Sequence, residues 1–102
     1  CSKGSIIVFM YEIRYAQSAR KALKRLRRSG SFPEAVFKEL LTLFIFGKSI
    51  PASFKDHALQ GDLAMARECH VGFNLLVEYR RNEELKIVTV LEVGTHQELF
   101  GE

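Results

Sequence analysis

The spacing of apolar and polar residues changes at several points along the chain, and each change predicts an element. Residues 6–15 are rich in β-branched and aromatic types. Apolar side chains occupy alternate positions there: Phe9, Tyr11, Ile13 and Tyr15. Glu12 and Arg14 fall between them. This period of two predicts a half-buried first strand.

Two helices are predicted next. Between Ala16 and Ser29 the apolar residues follow helical spacing, and Gly30 is a typical stop. Ser31 and Glu34 form a possible capping box for a second helix that runs to about Phe46. That helix is apolar on more than one face, which favours packing in the core; the alternative is a groove for a partner.

The second half of the chain is predicted to form strands. Residues 48–63 form a long connection with scattered polar residues, and long connections are often functional. Strand patterns follow at residues 64–71, 75–81 and 85–93, separated by links short enough for hairpins. The order of elements predicts an α+β fold: a strand, then two helices packed on a small antiparallel sheet. Thr95 and Glu98 form a second possible capping box.

Composition narrows the class of protein. The 102 residues, 47% hydrophobic and 26% charged, are typical of one soluble domain, and we expect residues 10–102 to form it. Residues 1–9 are expected to be an N-terminal extension, a cloning remnant or part of the first strand. Two cysteines are too few for a disulfide framework, and no apolar run is long enough to cross a membrane. We therefore expect a cytoplasmic protein.

Charge is concentrated on the first helix. The net charge is only +3, but this helix has no acidic residue and carries six cations: Arg20, Lys21, Lys24, Arg25, Arg27 and Arg28. One interpretation is a solvated helix face with cations favourably placed near its C-terminus. The other is a surface that contacts phosphates of a nucleic acid without sequence choice.

The histidines are the main candidates for chemistry. His57 lies on the long connection, His70 near the end of a strand and His96 after the last strand. A meander can bring these positions to one edge of the sheet, where imidazoles act as acid and base near neutral pH. Zinc binding is the competing interpretation, although the spacings match no short ligand motif. Cys69 is expected to point away from His70 and to behave as a small apolar residue.

These groups fit RNA cleavage without a metal or another cofactor. Attack by a ribose 2′-OH on the adjacent phosphate needs a base, an acid and cations that stabilise the phosphorane. Arg80 is one such candidate; Arg67 shares the Cys69 face and needs a bulge or twist to join the site. Phe100 is a candidate for stacking on a base, with a C-terminal anchor in the core as the alternative. Neither a phosphate-binding glycine loop nor a nucleophile elbow is present in the sequence.

Five blocks of sequence resemble the RelE/YafQ family of bacterial toxins, nearer to the YafQ branch. The matching blocks, in chain order, are YEIRYAQSARKALKRL at residues 11–26, KDHALQG at 55–61, RECHV at 67–71, LLVEY at 75–79 and GTHQELFG at 94–101. The resemblance implies an endoribonuclease that cuts mRNA in the ribosomal A site and is silenced by a cognate antitoxin. It also implies the α+β fold expected above.

The resemblance also implies roles for single residues. His96 resembles the proton donor, His57 and His70 the other active-site histidines, and Phe100 the aromatic near the scissile nucleotides. Asn74 stands where the family usually has the aspartate of a Pro-Asp pair. The remaining candidates are cations expected to contact RNA or, on the first helix, the antitoxin: Lys55, Arg67, Arg80, Arg20, Lys24 and Arg27.

Two departures from the family pattern bear on activity. Four residues before the last histidine the family usually has arginine, but this chain has Glu92, whose carboxylate repels phosphate. The amide of Asn74 cannot act as a base. Loss of one oxyanion-type donor costs on the order of 10²–10³ in rate. The alternative function is therefore a weakened toxin-like module that binds antitoxin or ribosome without efficient cleavage.

Overall fold

The computed structural model of the chain describes residues 10–30, 32–58, 66–72, 75–95 and 98–99. Its elements, in chain order, are β1 (Glu12–Tyr15), α1 (Gln17–Arg28), α2 (Glu34–Ile45), a 3₁₀ turn (Ala52–Phe54), β2 (His57–Ala58), β3 (Ala66–Val71), β4 (Leu75–Asn82) and β5 (Ile87–Thr95). This order confirms the predicted α+β architecture. Both helices have 12 residues, and no helix among the described residues is long and apolar enough to cross a membrane.

The first half of the chain follows its sequence pattern closely. Tyr11 is buried, Glu12 and Arg14 are exposed and Ile13 is half-buried, as the alternation predicts. Of the apolar stripe predicted for α1, Ala19 and Leu23 are buried and Leu26 is half-buried, and Ala22 is buried beside them. Gly30 follows α1 at φ +81°, a conformation that glycine adopts without steric cost.

The second helix begins later than its predicted capping box. Glu34 is its first residue, Pro33 occupies the N-cap position without a side-chain cap, and Ser31 lies outside the described residues. The Glu34 carboxylate instead accepts a hydrogen bond from Arg27 Nε at 2.6 Å. Phe37, Leu40 and Phe44 are fully buried, which confirms that the apolar face of α2 belongs to the core.

The sheet has the strand order β1-β5-β4-β3-β2. Strands β2 to β5 pair antiparallel, and β3 to β5 form the predicted meander. The sheet is mixed and not wholly antiparallel, because β1 pairs parallel with β5. Both helices and strands β2 to β4 lie between β1 and β5 in the chain, which provides the long connection that a parallel pair needs.

The second half of the chain differs from the prediction at several points. The short strand β2 and the 3₁₀ turn lie inside the connection predicted to lack regular structure. β5 begins at Ile87, two residues late, because Asn82 Oδ1 accepts from Leu85 N at 2.9 Å and closes a turn over residues 83–86. β3 is described from Ala66 only, since residues 64 and 65 lie outside the described part.

The hydrophobic core lies between the sheet and the two helices. Cys69, Val77, Val88 and Val90 point into it, each with no exposed surface. Cys69 is a free thiol there, which confirms its expected role as a small apolar residue. The other face of the sheet carries the histidines of β2 and β3.

Candidate active site on the outer face of the sheet

Pairing of β2 with β3 brings two of the three histidines together. His57 lies opposite Glu68, and His70 follows two positions along the same face of β3. The two imidazole rings are 6.3 Å apart between centroids. The edge cluster expected from the meander therefore contains His57 and His70, whereas His96 lies outside the described residues.

Both ring nitrogens of His57 face hydrogen-bond acceptors. Nε2 is 3.1 Å from Glu68 Oε1, and Nδ1 is 2.9 Å from the backbone oxygen of Lys55. Because both partners only accept, both contacts are hydrogen bonds when both nitrogens carry a proton. The two contacts fix the orientation of the His57 ring on this face of the sheet.

Asp56 anchors the segment that carries His57. Its Oδ2 accepts from Arg67 Nε at 2.9 Å and Nη2 at 2.6 Å, and its Oδ1 accepts from the hydroxyl of the buried Tyr79. The bond to Asp56 raises the pKa of Arg67, and burial, with the nearby Asp56 carboxylate, raises the pKa of Tyr79. The anchor fixes β2 against β3 and β4.

Arg67 lies on the face of β3 opposite the histidines. The β3–β4 register is continuous from Ala66 to Val71, so no bulge turns Arg67 toward His70. Arg80 is exposed on the other face of the sheet, the face that carries Glu78 and the histidines. Of the two arginines, Arg80 alone stands on the histidine face.

Acidic residues cross the sheet beside the histidines. Glu68, Glu78 and Glu92 lie opposite one another on β3, β4 and β5. Glu68 is 4% exposed and Glu78 9% exposed, and Glu68 Oε2 has no hydrogen-bond partner among the described residues. Burial, together with the charges of Glu68 and Glu92, raises the pKa of Glu78. Glu92 therefore adds negative charge to a face that is already acidic.

The second predicted capping box is confirmed. Thr95 N donates to Glu98 Oε1 at 2.8 Å, and Glu98 N donates to Thr95 Oγ1 at 3.1 Å. His96 follows Thr95 directly in the sequence. His96 itself lies outside the described residues, as do the other candidates Asn74 and Phe100.

The cations of α1 form a separate surface on the helix side of the sheet. They border a basic groove of about 620 Å³, lined by Tyr15, Arg20, Leu23, Lys24, Arg27 and Arg28. Arg27 is held by Glu34 and lies over the Phe32 ring at 5.3 Å. Arg20, Lys24 and Arg28 have no ion-pair partner within the described ranges. Lys55, at φ +51°, is exposed next to β2.

Metal binding and thiol chemistry gain no support from the described part of the chain. No group of three or more histidine, cysteine or acidic side chains there could hold a metal ion. Burial raises the pKa of the Cys69 thiol to about 12, with further contributions from Asp56 and Glu68. A thiol with that pKa stays protonated and is a poor nucleophile.

Several supporting residues were not found from the sequence. Asp56, Glu68 and Tyr79 support the site through contacts that form only when β2 pairs with β3. The sequence gives no sign of β2, because a strand of two residues is too short to show an alternating pattern. The contact of Arg25 with Glu98, at 2.8 Å, joins two elements far apart in the chain. Only the Thr95/Glu98 spacing pointed to this region.

Comparisons with known proteins agree with the fold. Residues 11–101 match the family described as bacterial toxin of type II toxin-antitoxin system, YafQ. The mRNA interferase toxin YafQ of Escherichia coli K12 is 32% identical over 92 residues, which cover 89% of this chain and 92% of that protein. The family match at residues 11–101 includes the positions of all three histidines.

Solved structures give the same result. The E. coli DinJ-YafQ toxin-antitoxin complex matches with a TM-score of 0.79 and 30% identity, covering 90% of this chain and 99% of that chain. A metal-bound toxin from Helicobacter pylori matches with a TM-score of 0.77 and 30% identity, covering 89% of this chain and all of that one. The chain therefore belongs to the YafQ family of bacterial toxins of type II toxin–antitoxin systems.

Proposed function

We propose that the chain is an endoribonuclease that cuts mRNA on the ribosome, without a metal, and is silenced by a cognate antitoxin. The observation that carries this proposal is the pairing of His57 and His70 on one face of the sheet, 6.3 Å apart, in a chain related to mRNA interferases. An imidazole of this pair can act as the base at neutral pH, and a third histidine can supply the acid.

The reaction is a transesterification within the RNA strand. The ribose 2′-oxygen attacks the adjacent phosphorus, a bond forms between them, and the bond from phosphorus to the 5′-oxygen of the next nucleotide breaks. The base removes the 2′-OH proton, and the acid gives a proton to the 5′-oxygen. We assign the acid to His96 and the base to His57 or His70; Asn74 orients groups at the site through its amide.

Binding of RNA is assigned to cations and one aromatic residue. Arg80 lies on the histidine face and Lys55 is exposed beside β2, which supports a role for both in contacting phosphates near the cut. Phe100 stacks on a nucleotide. Arg67 is occupied by Asp56 and contributes chiefly by holding β2.

The basic groove on α1 is assigned to ribosomal RNA or the antitoxin. Arg20 and Lys24 have no acidic partner in the described part of the chain, and they lie on the opposite side of the sheet from the histidines. Arg27 flanks them. A ribosome is large enough to contact both sides of a small protein at once. Contact of the basic groove with ribosomal RNA is therefore compatible with cleavage that requires the ribosome. A related toxin is known in a complex with its antitoxin, which supports an antitoxin partner here.

Expression in a bacterial host tests the proposal. Induction should arrest growth and produce cuts in mRNA at codon positions, mapped by primer extension, and co-expression of the cognate antitoxin should relieve the arrest. His96→Ala and His70→Ala should each restore growth at equal protein levels, whereas Arg14→Ala, on the exposed edge of β1, should not. Growth arrest with intact mRNA would refute the nuclease function.

Metal independence has its own test. Protein treated with a chelator of transition metals, then freed of chelator, should cut ribosome-bound mRNA at its original rate. Elemental content should be measured on the same sample, because a related toxin has been solved with metal bound. A loss of cutting that returns with one added transition metal would contradict this part of the proposal.

The three neighbouring carboxylates of Glu68, Glu78 and Glu92 support one alternative, a toxin that binds its partners but cuts poorly. Glu92 stands among buried carboxylates where the family usually has arginine, and Glu68 and Glu78 add to the negative charge. In that case Glu92→Arg would create or strongly raise cleavage. An efficient parent enzyme would gain little from the same change.

A further inference from the structure

The buried carboxyl group of Glu78 has no part in the reaction described above. Glu78 lies directly opposite Glu68 on β3 and Glu92 on β5. Opposite residues of antiparallel strands have Cβ atoms about 4.5–5.5 Å apart, so the side chains of two opposite glutamates can meet. Glu68 and Glu78 are both buried, whereas Glu92 is half-buried and lines a groove with Lys21 of α1.

Glu68 lacks a hydrogen-bond donor at one of its two carboxylate oxygens. Its Oε1 lies 3.1 Å from His57 Nε2, the contact that helps to orient the His57 ring. Its Oε2 is buried and has no hydrogen-bond partner among the described residues. A buried acceptor without a donor is costly, so a donor on the Glu78 side of Glu68 would stabilise this arrangement.

The surroundings of Glu78 favour a proton on its carboxyl group. Burial, followed by the charges of Glu68 and Glu92, raises the pKa of Glu78. Two carboxylates that share a buried site rarely ionise together, and one of them keeps a proton. The titratable and charged groups on this face of the neighbouring strands are Glu68 and His70 on β3, Glu92 on β5, Arg80 on β4 and, beyond Glu68, His57 on β2.

We propose that Glu78 is a positioning residue that, in its protonated form, donates a hydrogen bond to Glu68 Oε2 while Glu68 Oε1 holds His57. The shared proton satisfies the buried oxygen and leaves one negative charge on the pair. When rising pH removes that proton, two adjacent buried charges repel each other, and the contact between Glu68 and His57 weakens. The effect of this support on cleavage rests on the proposed function.

NMR of the isotope-labelled chain tests the hydrogen-bonded network without a ribosome. The chain has three histidines, so the imidazole nitrogen signals are few. As the pH rises, the carboxyl carbon of Glu78 should titrate above the range of the exposed glutamates. The ring signals of His57 should shift over that same pH range, in addition to the change caused by titration of the ring itself.

Two substitutions at position 78 separate the hydrogen bond from the charge. Glu78→Gln keeps a donor that does not ionise, so the extra shift of the His57 signals should disappear. Glu78→Leu removes both the charge and the donor, so its His57 signals should differ from those of Glu78→Gln at every pH. Glu92→Gln is the matched control, because it removes the other carboxylate opposite Glu78; the extra shift should persist and move to lower pH.

Cleavage of mRNA bound to purified ribosomes should follow the same order. Glu78→Gln should have a kcat about fivefold higher than that of Glu78→Leu, with similar KM values. This ratio corresponds to about 1 kcal/mol, a typical net contribution of one hydrogen bond. Thermal unfolding of each variant should show that it stays folded at the assay temperature.

Two results would overturn the proposal. One is a set of His57 signals that is the same in Glu78→Gln and Glu78→Leu, because the loss of charge alone would then explain the wild-type behaviour. The other is a wild-type His57 ring that does not respond where Glu78 titrates. Both are measured on the folded chain alone, so a protein that cuts no mRNA would remove the nuclease function without changing the outcome of this test.

Discussion

The anchor at Asp56 should account for a large share of the stability of the histidine site. Asp56→Ala removes the acceptor of the Tyr79 hydroxyl and the partner of Arg67. Tyr79 is 2% exposed, so its hydroxyl would be left buried without a partner, at a cost of about 1–3 kcal/mol. The Arg67 side chain is 43% exposed, so solvent screening limits its ion pair to about 1 kcal/mol or less.

The two contributions sum to about 1–4 kcal/mol for Asp56→Ala. In a domain of this size each kcal/mol lowers Tm by roughly 4–8 °C, so Tm should fall by at least about 4 °C. Urea unfolding gives the free energy directly. Asp56→Asn, which keeps an acceptor for Tyr79, should cost less than Asp56→Ala.

A double-mutant cycle tests the cause. In a Tyr79→Phe background no hydroxyl is left unsatisfied, so Asp56→Ala should cost at least about 1 kcal/mol less there than in the wild type. The reasoning fails if Asp56→Ala changes the free energy of unfolding by less than about 0.5 kcal/mol, a typical value for a surface change. It also fails if the cost is equal in both backgrounds.

Two further predictions follow from buried titratable groups. Burial and the charges of Glu68 and Glu92 raise the pKa of Glu78. The folded protein therefore binds this proton more tightly than the unfolded chain does. As a result, the free energy of unfolding falls as the pH rises from about 4.5 through the folded-state pKa. Glu78→Gln should therefore raise the free energy of unfolding at pH 7.5 and raise it less at pH 4.5; an equal gain at both would contradict this. Cys69, in a Cys1→Ser background, should resist a thiol reagent until the protein unfolds, because burial raises its pKa to about 12. Fast labelling of the native protein would show that the thiol is accessible.

The parts of the fold that follow from sequence are those with a repeating pattern. The alternation from Tyr11 to Tyr15 was sufficient to predict β1, and the apolar stripe was sufficient to predict α1. Burial of one face of a strand or helix requires apolar residues at a fixed period. Thr95 and Glu98 were also found, since their two hydrogen bonds are local and depend on a spacing of three. Each of these signals lies within one element.

The parts that could not be predicted depend on contacts between distant segments. β2 has two residues, too few for a pattern, so the pairing of His57 with Glu68 was hidden. A buried glutamate is also unexpected, because carboxylates are rarely buried without a partner. The parallel pairing of β1 with β5 could not be predicted either, because it depends on how the helices pack on the sheet. Arg25 of α1 meets Glu98 only after that packing.

The most direct test of the account is cleavage of a labelled mRNA by the purified chain in the presence and absence of purified ribosomes with a codon in the A site. The account predicts cuts within the A-site codon by the wild type with ribosomes, no cuts without them, and no cuts by His96→Ala in either case. Intact mRNA in the presence of ribosomes and folded wild-type protein would contradict the central claim.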